Sequence, residues 1–398
     1  MVSGAVIARG DAEVAAAGLS PASGSAGDPV RAEEHMRYAS MEKTRPDQLD
    51  LFDGALPASP HAYTQSFAIY DLAPKYVFRT DEREAGKYLP VVHRTFRLAD
   101  REYQLEIRPA RVMRDGAEIE VYPGEREQVL EEALRRIAIE KRRTRLFDGS
   151  AGVQFTLYEL RKELDRINHG LPLAEIKEAI EVCHLANITI RVAGGDKLVS
   201  ATIFPIRGLN ERTEDGDTIS FVTFNPLVTQ AIMCLDFRLL NYETSMRLAS
   251  SIARWLHKRM SHYYVQASLA DGGYTINATT IMRDSGMGSY KQTRDAFRAV
   301  DKAVRELKEK KVVLSIKPEV IRGARGRLEE VKYTLIPTPE FVAEQKKANY
   351  MANQVVSLAE QRQLGIGRRK AGAAQPAAAR TAAFPPLRAG LLPVRSGR

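Results

Sequence analysis

The most chemically specific run in this 398-residue chain lies between Ser289 and Lys310. At about 100° per residue, a helix there puts Phe297, Val300, Val304 and Leu307 on one side and Lys291, Arg294, Arg298, Lys302 and Arg305 on the other. Cations repeating every three or four positions form a stripe suited to a DNA major groove, its edges meeting phosphates and its floor meeting bases. Arg294 and Arg298 are the candidates for guanine. The bland reading is an ordinary solvated face on which Asp301 and Arg305 form an i,i+4 pair. Just downstream, Arg322, Arg325 and Arg327 alternate with Gly323, Ala324 and Gly326. Three guanidinium groups on such a turn suit the adjacent minor groove or phosphates, against the alternative of a solvated turn with incidental arginines.

A third feature is the peptide Gln48, Leu49, Asp50, Leu51, Phe52, which stands in a stretch poor in large apolar residues. Leu51 and Phe52 serve no core there, whereas a short peptide binds by inserting such anchors into a preformed pocket while Gln48 bonds at its rim. The alternative is the start of an ordered segment. Average residue frequencies make a chance match to this pattern about 1% for a chain of this length.

These residues need elements to position them. Residues 1–60, rich in Ala, Gly, Ser and Pro, read as a disordered arm carrying that peptide. Residues 61–210 read as a first winged-helix domain. It has strands at Tyr88 to Phe96 and Tyr103 to Val112 and a helix from Glu125 with Val129, Leu130, Ala133, Leu134 and Ile137 inward. A short helix follows at Phe155 to Leu164, then one after Pro172 with Leu173, Ile176, Ile180 and Cys183 inward. A hairpin, Ile188 to Val192 and Leu198 to Pro205, turns at Ala193 to Asp196. Residues 211–345 repeat the order as a second winged helix: a strand at Ile219 to Phe224, helices at Tyr242 to Ser261, Thr275 to Asp284 and Ser289 to Lys310, and a hairpin of Val312 to Ile316 with Leu328 to Ile336. Residues 346–398 read as a helical extension and a disordered basic tail. The expected class is α+β, two tandem winged-helix domains between a disordered arm and a basic tail.

The third helix of the first block differs from that of the second, since Glu175, Glu178 and Glu181 outnumber Lys177 and His184 on its outer side. Phosphate would repel that face, so it suits packing or pairing with a second copy as a homodimer. Phosphate contacts in that block are expected from Lys141 to Arg145.

The charge of +9 is unevenly placed. No acid follows Glu360, while the tail beyond it holds eight basic residues, which leaves about +1 for the rest, so any nucleic-acid surface is a local stripe. The two cysteines, Cys183 and Cys234, form no CxxC and read as buried structural thiols. No apolar run reaches the roughly 20 residues that cross a bilayer, and the start lacks a secretory leader, so a cytoplasmic protein without a membrane partner is expected. There is no phosphate-binding G-x-x-x-x-G-K-[ST] and no His-x-His metal pair. Tyr263 and Tyr264 read as core or strand residues, and His257 and His262 as surface and packing residues. No enzyme activity, cofactor or metal is expected.

With these motifs in hand, the chain resembles the plasmid replication initiators of the TrfA type. Gln48-Leu49-Asp50-Leu51-Phe52 is similar to that family's clamp-binding peptide, and Phe155-Thr156-Leu157-Tyr158-Glu159-Leu160 to its second helix in the first domain. The resemblance implies binding of repeated origin sites (iterons) in double-stranded DNA, opening of adjacent DNA, and recruitment of the replicative helicase, the host initiator and the sliding clamp of DNA polymerase III. It places Gln48, Leu49, Leu51 and Phe52 on the clamp and Lys291, Arg294 and Arg298 on an iteron. The competing expectation is a winged-helix transcriptional repressor, which has no use for that peptide.

Overall fold

The computed structural model describes residues 63–353 except 79–87, 100, 115, 141–142, 196, 210–218, 234–235, 264–272 and 289. The chain begins with β1 (Tyr63–Ser66), α1 (Ala68–Leu72), β2 (Val92–Leu98), β3 (Arg101–Arg108), β4 (Ala110–Arg114), β5 (Ala117–Val121) and α2 (Glu125–Glu140). It continues through β6 (Thr144–Phe147), β7 (Ser150–Phe155), α3 (Leu157–Arg166), α4 (Leu173–Leu185), β8 (Asn187–Val192), β9 (Lys197–Thr202), β10 (Arg207–Gly208) and β11 (Ser220–Thr223). Then come α5 (Pro226–Met233), β12 (Arg238–Asn241), α6 (Tyr242–Met246), α7 (Ser251–Tyr263), β13 (Tyr274–Asn277), α8 (Ala278–Asp284), α9 (Thr293–Glu309), β14 (Val313–Arg322) and β15 (Leu328–Pro337). A last helix, α10, occupies 339–353.

Two winged helices result, and they differ in how each completes its sheet. In the second, β13 between α7 and α8 pairs with β15, giving the order β13-β15-β14. In the first, the strand in the same place, β7, joins the sheet β10-β11-β7-β6, and the wing hairpin β8–β9 is extended by β3 and β2 from upstream. α3 opens with a capping box: Thr156 Oγ1 accepts from the Glu159 amide at 3.1 Å, and the Glu159 carboxylate accepts from the Thr156 amide at 3.0 Å.

Several expectations change. The expected helix from Tyr242 to Ser261 is two, α6 and α7, broken at 247–250. Thr275 and Ile276, expected in a helix, pair with Thr334 and Tyr333 as strand β13, because two β-branched side chains suit a pleated edge. The expected strand from Tyr103 to Val112 divides at Pro109, which lies between β3 and β4. Phe155 closes β7 rather than opening α3, and Leu173, expected inward, is exposed. His257 is fully buried, and Tyr263 is an exposed residue at the end of α7. Val222, Phe224, Leu239 and Tyr242 pack in the first core and Leu248 in the second, so 220–246, which the sequence groups with the second domain, belong by packing to the first. Cys183 is buried as expected; Cys234 lies outside the described residues.

Between the two cores runs a polar seam of α1, α2 and α7. Asp71, Glu131 and Glu132 meet Lys75, Arg135 and Lys258, all buried. Arg135 Nη1 donates to both Asp71 oxygens at 2.8 and 2.9 Å, its Nη2 to Glu131, and Lys258 Nζ to Glu132. Lys75 Nζ lies 3.5 Å from Asp71 and 3.6 Å from Glu131. Burial alone pushes the Asp71 and Glu131 carboxyls up, but Arg135 and Lys75 outweigh it and hold both below the usual carboxylate range. Trp255 Nε1 donates to Leu72 O at 3.2 Å, and Arg254 reaches Glu125. α10 fastens the outside of this seam: Thr338 caps it by accepting from the Phe341 amide at 3.1 Å, Phe341 enters the second core, and Ala348 and Met351 enter the first.

His257 sits on α7 with its ring 6.1 Å from that of Phe341, and burial, then the neighbouring Lys258 charge, lowers its pKa to about 3 from 6.5. The folded state therefore excludes a proton that the unfolded state accepts. This stability is complete above pH 6.5 and is lost as pH falls towards 3. We expect His257→Leu to flatten the dependence of unfolding free energy on pH between roughly 6 and 5 by about 1.4 kcal/mol per unit. Urea titrations at several pH values check it, and an unaltered slope would refute the assignment.

Candidate nucleic-acid interface

α9 is held by what its inner side buries. Phe297, Val300, Ala303, Val304 and Leu307 pack with Trp255, Leu256 and Tyr333 in the second core. The helix begins after Gln292, later than the expected Ser289, and ends at Lys310. Lys311 then takes a left-handed φ of 59°, which lets the Val312 amide donate to Leu307 O at 2.9 Å and turns the chain into β14. Arg294, Arg298, Lys302 and Arg305 all stand exposed on the outer side, whereas Lys291, expected in the same helical row, lies exposed before the helix, so four of the five cations share it.

The five cations are not equivalent. Arg305 Nε donates to Asp301 Oδ2 at 2.7 Å, so the i,i+4 pair is formed, and Arg298 Nη1 lies 3.4 Å from Asp295. Among the described residues no carboxylate forms an ion pair with Arg294 or Lys302. Burial first, then the nearby Asp301 carboxylate, raises the Tyr333 hydroxyl to about pKa 12, a neighbour of α9 on β15 that the sequence did not reveal.

Two further carboxylates set the angle of the helix and the hairpin. Glu306 of α9 accepts from the Ala249 and Ser250 amides, capping α7 from outside. Glu330 of β15 accepts from the Thr279 amide at 3.1 Å and from its hydroxyl, doing the same for α8. Both look like solvated charges in the sequence, since their partners are distant along the chain.

Between α9 and the wing lies an open trough of roughly 800 Å³. Arg294, Arg298, Lys302 and Arg305 form its helical wall, and Pro318, Val320, Leu328 and Val331 its strand wall. β14 is longer than the expected Val312 to Ile316, because it is an edge strand that tolerates Pro318 and pairs as far as Arg322 with Leu328. At the tip, Arg322 Nη1 donates to Gly326 O at 3.1 Å and the Gly323 amide to Arg327 O at 2.9 Å, closing a short 3₁₀ turn, Ala324–Gly326. Gly326 has φ 72°, and a Cβ on Gly323 would strike the Glu329 carboxylate. Arg322 and Arg327 are exposed; the Arg325 side chain lies outside the described ones, as does the whole of Gln48, Leu49, Leu51 and Phe52.

The third helix of the first winged helix, α4, offers no comparable surface. Hairpin β4–β5 lies against it, with Ala110 and Val112 packed on Val182 and Ala186. Two of its three outer acids are paired, Glu178 with Arg114 and Arg126 and Glu181 with Arg207 at 3.4 Å, while Glu175 is exposed. Arg143 is bound to Glu159 of α3 at 2.6 Å, whereas Lys141 and Arg142 lie outside the described residues. Among the described residues no cluster of His, Cys, Asp or Glu is placed to hold a metal ion, and no helix is long and apolar enough to cross a membrane.

No protein-family model matches the sequence, and no curated protein matches it. Among solved structures, the chain is similar to domains 2 and 3 of RctB, with 9% identity, a TM-score of 0.41, and 68% of this chain and 96% of that one covered. A second structure of RctB domains 2–3 gives 9% identity and a TM-score of 0.39 over 70% of this chain and 99% of that one. The Pi initiator protein, solved in complex with iteron DNA, gives 12% identity and a TM-score of 0.35 over 54% of this chain and 95% of that one.

Removing the Glu306 carboxylate leaves two amides at the start of α7 without their acceptor. Glu306→Ala is expected to lower unfolding free energy by about 0.5–2 kcal/mol, the range for a lost helix cap. Urea denaturation followed by circular dichroism measures this, and wild-type stability would exclude a capping role.

Proposed function

We propose that this protein is a non-enzymatic, origin-binding replication initiator of plasmid type. α9 reads base edges in the major groove of a repeated duplex site, and the arginines of the wing hold the neighbouring phosphates or minor groove. One observation carries the reading: the exposed cationic side of α9 faces an open trough whose other wall is a wing with an Arg-rich turn. In this proposal Arg294 and Arg298 contact bases, Lys302 a phosphate, and Arg305 acts partly through Asp301. The peptide Gln48, Leu49, Leu51, Phe52 recruits the polymerase III sliding clamp, and the replicative helicase and host initiator join at the opened origin, in the cytoplasm. A repressor shares α9 but has no need of that peptide.

Arg298→Ala should weaken binding to the cognate site by about 1–3 kcal/mol, the loss expected for one bidentate base contact, whereas Lys302→Ala should reduce the salt dependence of binding by about one counterion. Fluorescence anisotropy over a salt series separates the two, and an unchanged affinity with Arg298→Ala removes α9 from base reading. Separately, Phe52→Ala is expected to abolish capture of the sliding clamp while DNA affinity stays at the wild-type value. Capture retained by the variant would remove this peptide from clamp binding, and no capture by the wild-type chain would favour a repressor.

A further inference from the structure

The trough between α9 and the wing has two unlike walls. The helix contributes Arg294, Arg298, Lys302 and Arg305, with three carboxylates among them: Asp301 is bonded to Arg305, Glu306 is turned to the Ala249 and Ser250 amides, and Glu309 stands at the end of α9. The hairpin contributes Pro318, Val320, Leu328 and Val331, whose side chains hold no hydrogen-bonding group. On the outer face of the same two strands the alternate residues Lys317, Glu319, Lys332 and Thr334 are polar, and Ile321 is the apolar exception. The core does not account for the contrast. Val331 is buried in it, but its register partner Val320 is 51% exposed, and Pro318 is exposed as well. Tyr333, which also lines the trough, is buried opposite Pro318. The wall is fixed in place, since Glu330, next to Val331, bonds to Thr279 of α8.

A nucleic-acid strand has the same two kinds of side. Its phosphates are anionic, and the sugars between them offer carbon–hydrogen edges. The 2′ position is a methylene in deoxyribose, whereas in ribose it is a hydroxyl that both donates and accepts.

We propose that the trough seats the backbone of one DNA strand where it passes from the major groove read by α9 to the minor groove beside the wing. Lys302 meets a phosphate, and Val320, with Pro318 and Leu328, packs on the 2′ methylenes of adjacent deoxyriboses. The inference rests on α9 reading DNA and adds the class of sugar to that reading. Ribose at these positions turns a hydroxyl onto a wall that displaces its water and returns no partner. The wall therefore selects DNA over RNA and over hybrid duplexes at positions where no base is touched.

The test uses the full chain and a duplex that it selects from a random pool, with single ribonucleotides walked along each strand and affinity read by fluorescence anisotropy. Neighbouring positions on one strand should each lose about tenfold in affinity, the scale of one unpartnered buried hydroxyl. At the same positions 2′-fluoro nucleotides, which share the pucker of ribose but have no hydroxyl, should lose less than about threefold. Val320→Thr sets a hydroxyl on the wall, and that variant's own ratio of deoxyribose to ribose affinity should fall by at least about threefold. No ribose penalty, an equal penalty from 2′-fluoro, or a penalty that Val320→Thr leaves intact overturns the sugar seat. Failure to select any duplex instead overturns DNA reading by α9.

Discussion

Asp71, Glu131 and Glu132 lie buried against Arg135, Lys75 and Lys258 where α1 and α2 meet α7, and the placing of both winged helices depends on those contacts. Taking six charges out of water is costly. The site is tolerable because Arg135 donates from Nη1 to both Asp71 oxygens and from Nη2 to Glu131, because Tyr76 donates to Glu131, and because each base has an acid within ion-pair distance. A seam of this kind has few alternative packings, since any sliding strands a charge at a cost of about 3–5 kcal/mol. The two cores are thereby locked at one angle, and α10 adds apolar contacts to both.

The lock gives the two winged helices different duties. The first spends its third helix internally, with β4–β5 packed on α4 and arginines pairing with Glu178 and Glu181. It also draws its extra sheet strands from β2 and β3, and β2 reaches the second block, where the Arg97 amide donates to Asp284 at the end of α8. The second keeps α9 outward. It holds that helix through Glu306 to α7 and its wing through Glu330 to α8, so both sides of the trough refer back to helices of one core.

Where sequence could be read and where it failed follows from the range of the interactions involved. α9 was legible because its apolar spacing and its cationic spacing share one period, both sides obeying the same local geometry. The α3 capping box has the same short range, Thr156 and Glu159 being three residues apart, yet the sequence reading started that helix at Phe155, before the cap. α2 was only half legible: its apolar residues were placed, but Glu131, Glu132 and Arg135 read as a solvated face because their partners, Asp71, Lys75 and Lys258, come from remote segments. β13 was misread as helix because its four residues are too few to show a period, and its partner β15 lies about 60 residues on. Pro318 concealed the length of β14, although a proline on an edge strand interrupts nothing that its partner needs.

Asp301 shows why a count of charges does not define a nucleic-acid surface. It lies within the cationic stripe, where a carboxylate would repel phosphate, yet it accepts from Arg305, and its charge adds to burial in raising Tyr333 of β15. Its bond to Arg305 occupies that side chain and leaves Lys291, Arg294 and Lys302 as the cations of the stripe without an ion pair among the described residues. A carboxylate set among these cations thus lowers the local potential and holds one of them in place, so exposure and pairing, rather than number, decide which charges of the helix remain available to an anion.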